Sequence, residues 1–209
     1  MAEQHPAVHP GELTNRAQET VRRGQAKKAV VRSEGWFKDK VKEITAKGKE
    51  IGKGAVGSIR RQFSRTNPSQ FYKEAENKIS VGGIRPGSLF AYWYDPKWAR
   101  KLPYYDEFPM IMMVEKAKGG FIGLNFHYLP PMLRARLLDR VKGRGISWSA
   151  IKNIDVVKPA VKRYLSGHVG GRVVVIPENE EELSIFLPLE RFKKASTASV
   201  WADSKSKMR

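Results

Sequence analysis

Four side chains near the middle of the sequence carry groups that could bind a metal ion, namely Asp95, Asp106, Glu115 and His127. A divalent metal ion held by such groups activates water in nucleases. The four residues fall in or beside neighbouring β-prone segments, so they would have to meet across a sheet, and their spacing does not require this. We therefore keep a metal-dependent nuclease as one alternative and favour turn-capping roles for Asp95 and Asp106.

Other catalytic signatures are absent from the sequence. The chain has no cysteine, which excludes disulfides, thiol catalysis and thiolate metal sites. It also lacks an HExxH motif, a GxxxxGK(S/T) phosphate loop and a GxGxxG motif opening a helix. For His127 we expect a hydrogen-bonded, half-buried position, and for Asn125 an amide that satisfies a local polar group. The sequence therefore predicts a protein that is not an enzyme and uses no metal or other cofactor.

An aromatic run at Phe90, Tyr92, Trp93 and Tyr94 has two interpretations. It could form a platform on which unpaired bases stack. Large aromatic side chains are, however, the usual material of protein cores. We therefore predict that this run packs in the sheet and the core.

The formal net charge of +18 is the strongest global feature of this 209-residue chain. Residues 1–79 carry a net charge of +8 and residues 80–209 a net charge of +10, so both halves are basic. Such a field attracts polyanions and makes association depend on salt. Double-stranded DNA is therefore the favoured partner, and contact with acidic proteins is the alternative.

The basic residues are dense in a segment with little core material. Residues 21–65 hold 14 Lys and Arg against 4 Asp and Glu. This segment could lie along phosphates, pack a narrow stripe against a partner protein, or place residues 34–51 on an anionic membrane as an amphipathic helix. We expect it to be ordered only in an assembly. The residues predicted to contact phosphates are Lys38, Lys40, Lys42, Lys47, Lys49, Lys53, Arg60 and Arg61 in this arm, and Arg134, Arg136 and Arg140 on a later helix.

The elements that must position these residues are organised around residues 103–138, which read as strand, turn, strand and helix. Weak alternation in the two strands predicts that both faces of this hairpin are covered. The fold class is α+β: a small antiparallel, SH3-like or partly closed barrel with inserted helices, plus a basic helical N-terminal arm. Residues 1–83 are predicted to form the partly flexible arm and residues 84–209 the compact domain. The predicted strands are 88–94, 108–115, 121–128, 172–176 and 183–187, and the predicted helices are 132–141, 147–153, 158–166 and 196–202.

Two blocks of the sequence resemble a known group of proteins. KLPYYDEFPMIMMVEKAKGGFIGLNFHYLPPMLRARLLD at 101–139 and IFLPLERFKKASTASVWADSKSK at 185–207 look like blocks in small virion proteins of large contractile-tailed bacteriophages. The resemblance is to the DNA end protector and head-completion group. It implies a non-enzymatic protein carried in the particle, near packaged DNA or at the head–tail junction. It carries over no catalytic residue.

We therefore predict a phage virion protein, made in the host cytoplasm, that binds packaged DNA or DNA ends without sequence preference. The sequence has no apolar run of about 18 residues and does not begin with the pattern of a signal peptide. A neck, tail or baseplate component whose arm threads between subunits is the main alternative. The nuclease and a membrane-acting virion protein are the others.

Overall fold

The structure is a computed structural model, and it describes residues 60, 67–75, 77–144 and 146–208. Most of the predicted arm, including the segment 34–51, lies outside the described residues. The helices are α1 Pro68–Glu74, α2 Pro131–Arg144, α3 Trp148–Ile151, α4 Val157–Ala160, α5 Glu181–Ser184 and α6 Thr197–Ser206. The strands are β1 Lys78–Ile79, β2 Leu89–Tyr94, β3 Tyr105–Asp106, β4 Met110–Ala117, β5 Gly120–Asn125, β6 Val161–Leu165, β7 Val169–Val175 and β8 Phe192–Lys193.

Six of these strands form one antiparallel sheet in the order β1-β7-β2-β4-β5-β6. β3 and β8 pair separately as a two-stranded sheet. Only three residues join β6, at one edge of the main sheet, to β7, which lies next to the other edge. The sheet must therefore curve to bring the ends of these two strands close together. It does not close into a barrel. The α+β class is confirmed, whereas likeness to an SH3 fold and a basic helical N-terminal arm stay predictions.

The central hairpin forms where the sequence predicts it. Pro109 immediately precedes β4, where a missing backbone N–H is tolerated. Gly119 takes a φ of +74° in the turn, a conformation that suits a residue without Cβ. β5 ends at Asn125, and Phe126–Tyr128 continue as a short 3₁₀ turn rather than as a strand. Pro131 then begins α2, where its fixed φ suits the first helical position.

Side chains that alternate along the strands build a core on each face of the sheet. On one face, Leu89 and Ala91 of β2 and Met112 of β4 pack with Leu137 and Leu138 of α2. The opposite face carries a second cluster with a different composition, formed by Ile84, Phe90, Tyr92, Tyr94, Ile111, Met113, Phe121, Tyr164 and Val173. Coverage of both faces, as expected from the weak alternation, is confirmed. The aromatic run 90–94 is therefore mainly core material.

Two predicted elements are wrong. A helix was expected over 158–166, but α4 ends at Ala160 and β6 follows, because Val161–Leu165 pairs with the exposed edge of β5. A strand was expected over 183–187, but a helix ends at Ser184 and a buried turn follows it. Short apolar runs do not by themselves distinguish a strand from a buried turn.

Part of the segment assigned to the arm belongs to the sheet region. Phe71 on α1 packs edge-on against Phe108, with ring centroids 6.2 Å apart, and β1 pairs with β7. The division into 1–83 and 84–209 stays a prediction. Of the helices that the structure describes, none has the length and apolar character needed to cross a membrane.

Candidate nucleic-acid interface

The four potential metal ligands do not come together. Asp106 and His127 meet inside the protein, with His127 Nδ1 2.8 Å from Asp106 Oδ2, whereas Asp95 and Glu115 are exposed at the surface. Over residues 67–75, 77–144 and 146–208, no group of three or more His, Cys, Asp or Glu is placed to hold a metal ion. The nuclease alternative therefore gains no support from the geometry.

Asp106 instead organises a buried polar network. Its Oδ1 accepts hydrogen bonds from the backbone N–H groups of Phe108 and Arg191, each at 3.2 Å. Its Oδ2 accepts from His127 and from the Asn125 amide. The turn-capping role predicted for Asp106 and the polar role predicted for Asn125 are confirmed. His127 is more buried than expected, since its side chain is fully enclosed.

A second buried cluster contains two of the arginines predicted to contact phosphates. The Arg134 guanidinium is fully buried and donates to the carbonyl oxygens of Leu129 and Ile185 and to Glu190. Arg60 reaches the same carboxylate, with Nη1 2.9 Å from Glu190 Oε1. Both guanidinium groups therefore form internal ion pairs with Glu190 instead of the phosphate contacts that were predicted for them. Arg134 precedes Leu138 by four residues, so its place on the apolar stripe of α2 was a signal of burial.

The electrostatics of this cluster favour the charged forms. Burial by itself would raise the pKa of Glu190, but Arg134, His127 and Arg60 hold that pKa well below its usual range. Burial lowers the pKa of Arg134, and the charge of Glu190 opposes this effect. The cluster therefore acts as a paired unit that joins α2, the residue at position 60 and the segment before β8.

The other predicted contacts have different placements. Arg136 is exposed and Arg140 half-exposed on α2, four residues apart and so on one side of the helix. The remaining predicted contacts lie outside the described residues; they are Lys38, Lys40, Lys42, Lys47, Lys49, Lys53 and Arg61.

A cleft that the sequence analysis missed carries a further concentration of basic and aromatic groups. It has a volume of about 520 Å³ and lies between the loop after β2 and strand β6. Its lining residues are Tyr94, Pro96, Lys97, Trp98, Leu102, Pro103, Tyr104, Tyr105, Asp106, Tyr128, Lys162, Arg163, Tyr164, Leu165 and Lys207. The available signal was local: Trp98 lies between Lys97 and Lys101 in a segment that otherwise reads as a basic connector.

Lys162 is the most unusual cation in this cleft. Its ammonium lies 4.2 Å from the ring centroid of Tyr128 and donates to the Pro159 carbonyl oxygen at 2.8 Å. Burial, together with the nearby charge of Lys207, lowers the pKa of Lys162 to about 8, and the charge of Asp203 partly opposes this shift. An anion bound nearby would favour the charged form of Lys162. The cleft thus suits an anionic ligand with an aromatic part.

These features describe a small, strongly basic α+β protein. Its cleft combines cations with an exposed indole, a combination that is typical of proteins that bind nucleic acids. The profile of the family described as "Phage T4 terminal DNA protecting protein" matches residues 12–204. Since this match spans most of the chain, the protein belongs to that bacteriophage family. The resemblance to phage DNA end protectors is therefore confirmed. Comparisons with curated proteins and with solved structures give no match.

Proposed function

We propose that this phage protein is a non-enzymatic virion component that binds the ends of double-stranded DNA through basic surfaces. The family match over residues 12–204 is the observation that carries this proposal. The net charge of +18 supports it, because Lys and Arg that neutralise phosphates release the counterions condensed on DNA. Contacts to phosphates position a protein without reading sequence, so no base preference is expected.

Three surfaces are proposed to share the binding. Arg136 and Arg140 present charge from one side of α2, and the cleft between residues 97 and 163 presents a second group of cations. The arm is the third surface, and its proposed contacts are Lys38, Lys40, Lys42, Lys47, Lys49, Lys53 and Arg61. Synthesis in the host cytoplasm and contact with other virion proteins complete the proposal.

The test is a binding measurement with two DNAs of equal length and sequence. One duplex has free ends, and in the other both ends are closed by hairpins. We expect the full-length protein to bind the free-ended duplex more tightly, and the affinity for both to fall steeply with salt. The double variant Arg136→Gln/Arg140→Gln should reduce the slope of log affinity against log salt by about 2, at about 0.9 for each lost phosphate contact.

A control variant and two outcomes make this test decisive. Lys158→Gln removes an exposed ammonium that pairs with Asp155 at 3.3 Å, and it should leave the slope nearly unchanged. Equal affinity for the two DNAs would reject end binding and leave a general role on packaged DNA. Absence of binding near physiological salt would instead favour a neck, tail or baseplate role, in which the arm threads between protein subunits.

A further inference from the structure

Trp98 presents an unusual surface at the mouth of the cleft. It is 56 % exposed, the largest exposed fraction among the large hydrophobic side chains that the structure describes. The ammonium groups of Lys97 and Lys101 lie 5.2 and 5.1 Å from the centre of its indole ring. A flat aromatic surface and positive charge are thus offered to solvent at the same place.

The side chain of Lys194 anchors the loop that carries Trp98. The Lys194 ammonium donates hydrogen bonds to the carbonyl oxygens of Ala99, Arg100 and Leu102, at 2.6, 2.9 and 3.0 Å. Lys194 itself has a φ of 69°, a conformation that residues with a Cβ rarely adopt. Backbone strain of this kind persists where the surrounding structure requires it. Lys194 is therefore a positioning residue that fixes the loop and the exposed indole.

The charge of the cleft selects an anion. Lys162 and Arg163 line its opposite side on β6, and Lys97 lines the side of the indole. Asp106 is the acidic residue among the described lining residues, and it is buried against His127. Asp203 is not a lining residue, but its carboxylate accepts hydrogen bonds from Tyr104 and Lys207, which are. The lining residues themselves present no exposed carboxylate to a phosphate.

The size of the cleft selects the kind of anion. A volume of about 520 Å³ is that of a small-molecule site and cannot take in a double helix. Inside a duplex the bases are stacked on one another, so a free base face becomes available where the duplex ends. Stacking of a base on an aromatic ring is stronger than an exposed cation–π contact. A base can therefore displace one ammonium from the indole, and its phosphate can then pair with that ammonium.

We propose that this cleft holds one unpaired nucleotide at a DNA terminus, with the base stacked on Trp98 and the phosphate beside Lys97 and Lys101. This inference rests on the proposed function and assigns the recognition of the end to one site. The arm and the α2 arginines then bind duplex phosphates, whereas the cleft distinguishes an end from the interior of the duplex.

The experiment uses the full-length protein and three DNAs with the same duplex sequence: a relaxed closed circle, a blunt linear duplex, and a linear duplex carrying one unpaired nucleotide at each end. The wild-type protein should bind the DNA with unpaired nucleotides most tightly and the closed DNA least tightly. Trp98→Ala should reduce affinity for the first by about tenfold or more and leave affinity for the closed DNA unchanged. Trp98→Phe should retain part of the preference, because a smaller aromatic ring still stacks.

The matched control is Trp148→Ala, which removes the exposed indole on α3. It should bind all three DNAs as the wild-type protein does, and thermal unfolding midpoints show whether each variant is folded. If Trp98→Ala and Trp98→Phe both keep the full preference for ends, the nucleotide site is wrong and the proposed function stands. If the wild-type protein itself shows no preference, the proposed function fails. Equal losses in Trp98→Ala and Trp148→Ala would also overturn the assignment to this cleft.

Discussion

At the residue scale, the most consequential side chain outside the cleft is Glu190. Its carboxylate is shared by Arg134, which is fully buried, and Arg60, which is partly exposed. The centres of both guanidinium groups lie within 5.6 Å of the ring centroid of Trp201. The Trp201 Nε1–H in turn donates to the carbonyl oxygen of His127 at 2.9 Å. One carboxylate thus pairs with two guanidinium groups that pack against Trp201 of α6, and Trp201 links them to His127 of the polar network around Asp106.

Replacing Glu190 with Gln should lower the free energy of unfolding by about 3–5 kcal/mol, because it leaves the buried Arg134 charge without its partner. Urea unfolding at pH 7 measures this loss. Glu178→Gln, at an exposed position, is the control and should change the free energy by less than about 0.5 kcal/mol. A Glu190→Gln protein as stable as the wild type would show that the pair does not hold these elements together.

The same residue determines part of the response to acid. The pKa of Glu190 is lower in the folded protein than in the unfolded chain, so its contribution is fully present above the unfolded value of 4.5. That contribution is lost as pH falls below 4.5 towards the folded pKa. The stability of the wild-type protein should therefore fall more steeply in this range than that of Glu190→Gln.

At the element scale, the contact between β5 and β6 decides whether the cleft exists, because β6 supplies Lys162, Arg163 and Tyr164 to its lining. Gly120 pairs with Leu165 at the end of this contact. A Cβ at Gly120 would overlap the backbone carbonyl oxygen of Tyr164. Glycine is therefore required here by the close approach of the two backbones.

We expect Gly120→Ala to lower the free energy of unfolding by about 1–3 kcal/mol, because β6 must move away from β5 to accommodate the methyl group. Gly82→Ala is a matched control, since a Cβ at Gly82 would have no neighbouring atom within 4 Å. The pair can be compared by denaturant unfolding. Equal stability of the two variants would mean that β6 can move away from β5 without lowering the free energy of unfolding.

At the scale of the whole molecule, charge and fold are separable. The compact region satisfies its buried charged groups internally, as in the pair of Arg134 with Glu190 and in the hydrogen bonds that Asp106 accepts. A pair of one basic and one acidic residue adds nothing to the net charge, so the formal charge of +18 measures the basic groups in excess of such pairs. Solubility and binding to polyanions depend on that excess, whereas the fold does not.

Replacing the six arm lysines 38, 40, 42, 47, 49 and 53 with Gln in the full-length protein should therefore leave the thermal unfolding midpoint unchanged. It should reduce the slope of log affinity for DNA against log salt by up to about 5, at about 0.9 for each phosphate contact. A salt titration of binding to duplex DNA measures the slope. An unchanged slope would show that the arm contacts proteins rather than DNA.

Several local elements and the family could be predicted from the sequence alone. The aromatic, β-prone run at 88–94, the turn at Gly119 and Pro131 at the start of α2 are signals between near neighbours, so β2, the central hairpin and α2 could be predicted. A helix over 196–202 was also predicted, and in the structure Ser196 caps α6 by accepting a hydrogen bond from the Ser199 N–H. The overall excess of positive charge is likewise a property of composition alone.

The contacts between elements that are far apart in the sequence depend on the tertiary structure. Arg134 is a buried structural residue because the fold brings it against Glu190, which lies 56 residues further along the chain. Residues 161–165 form a strand because the edge of β5 was available for pairing. The cleft joins the loop around Trp98 to β6 and to Lys207, and only the curvature of the sheet and the docking of α6 bring these together. Local pattern does not specify contacts across such separations, because they depend on how the whole core packs.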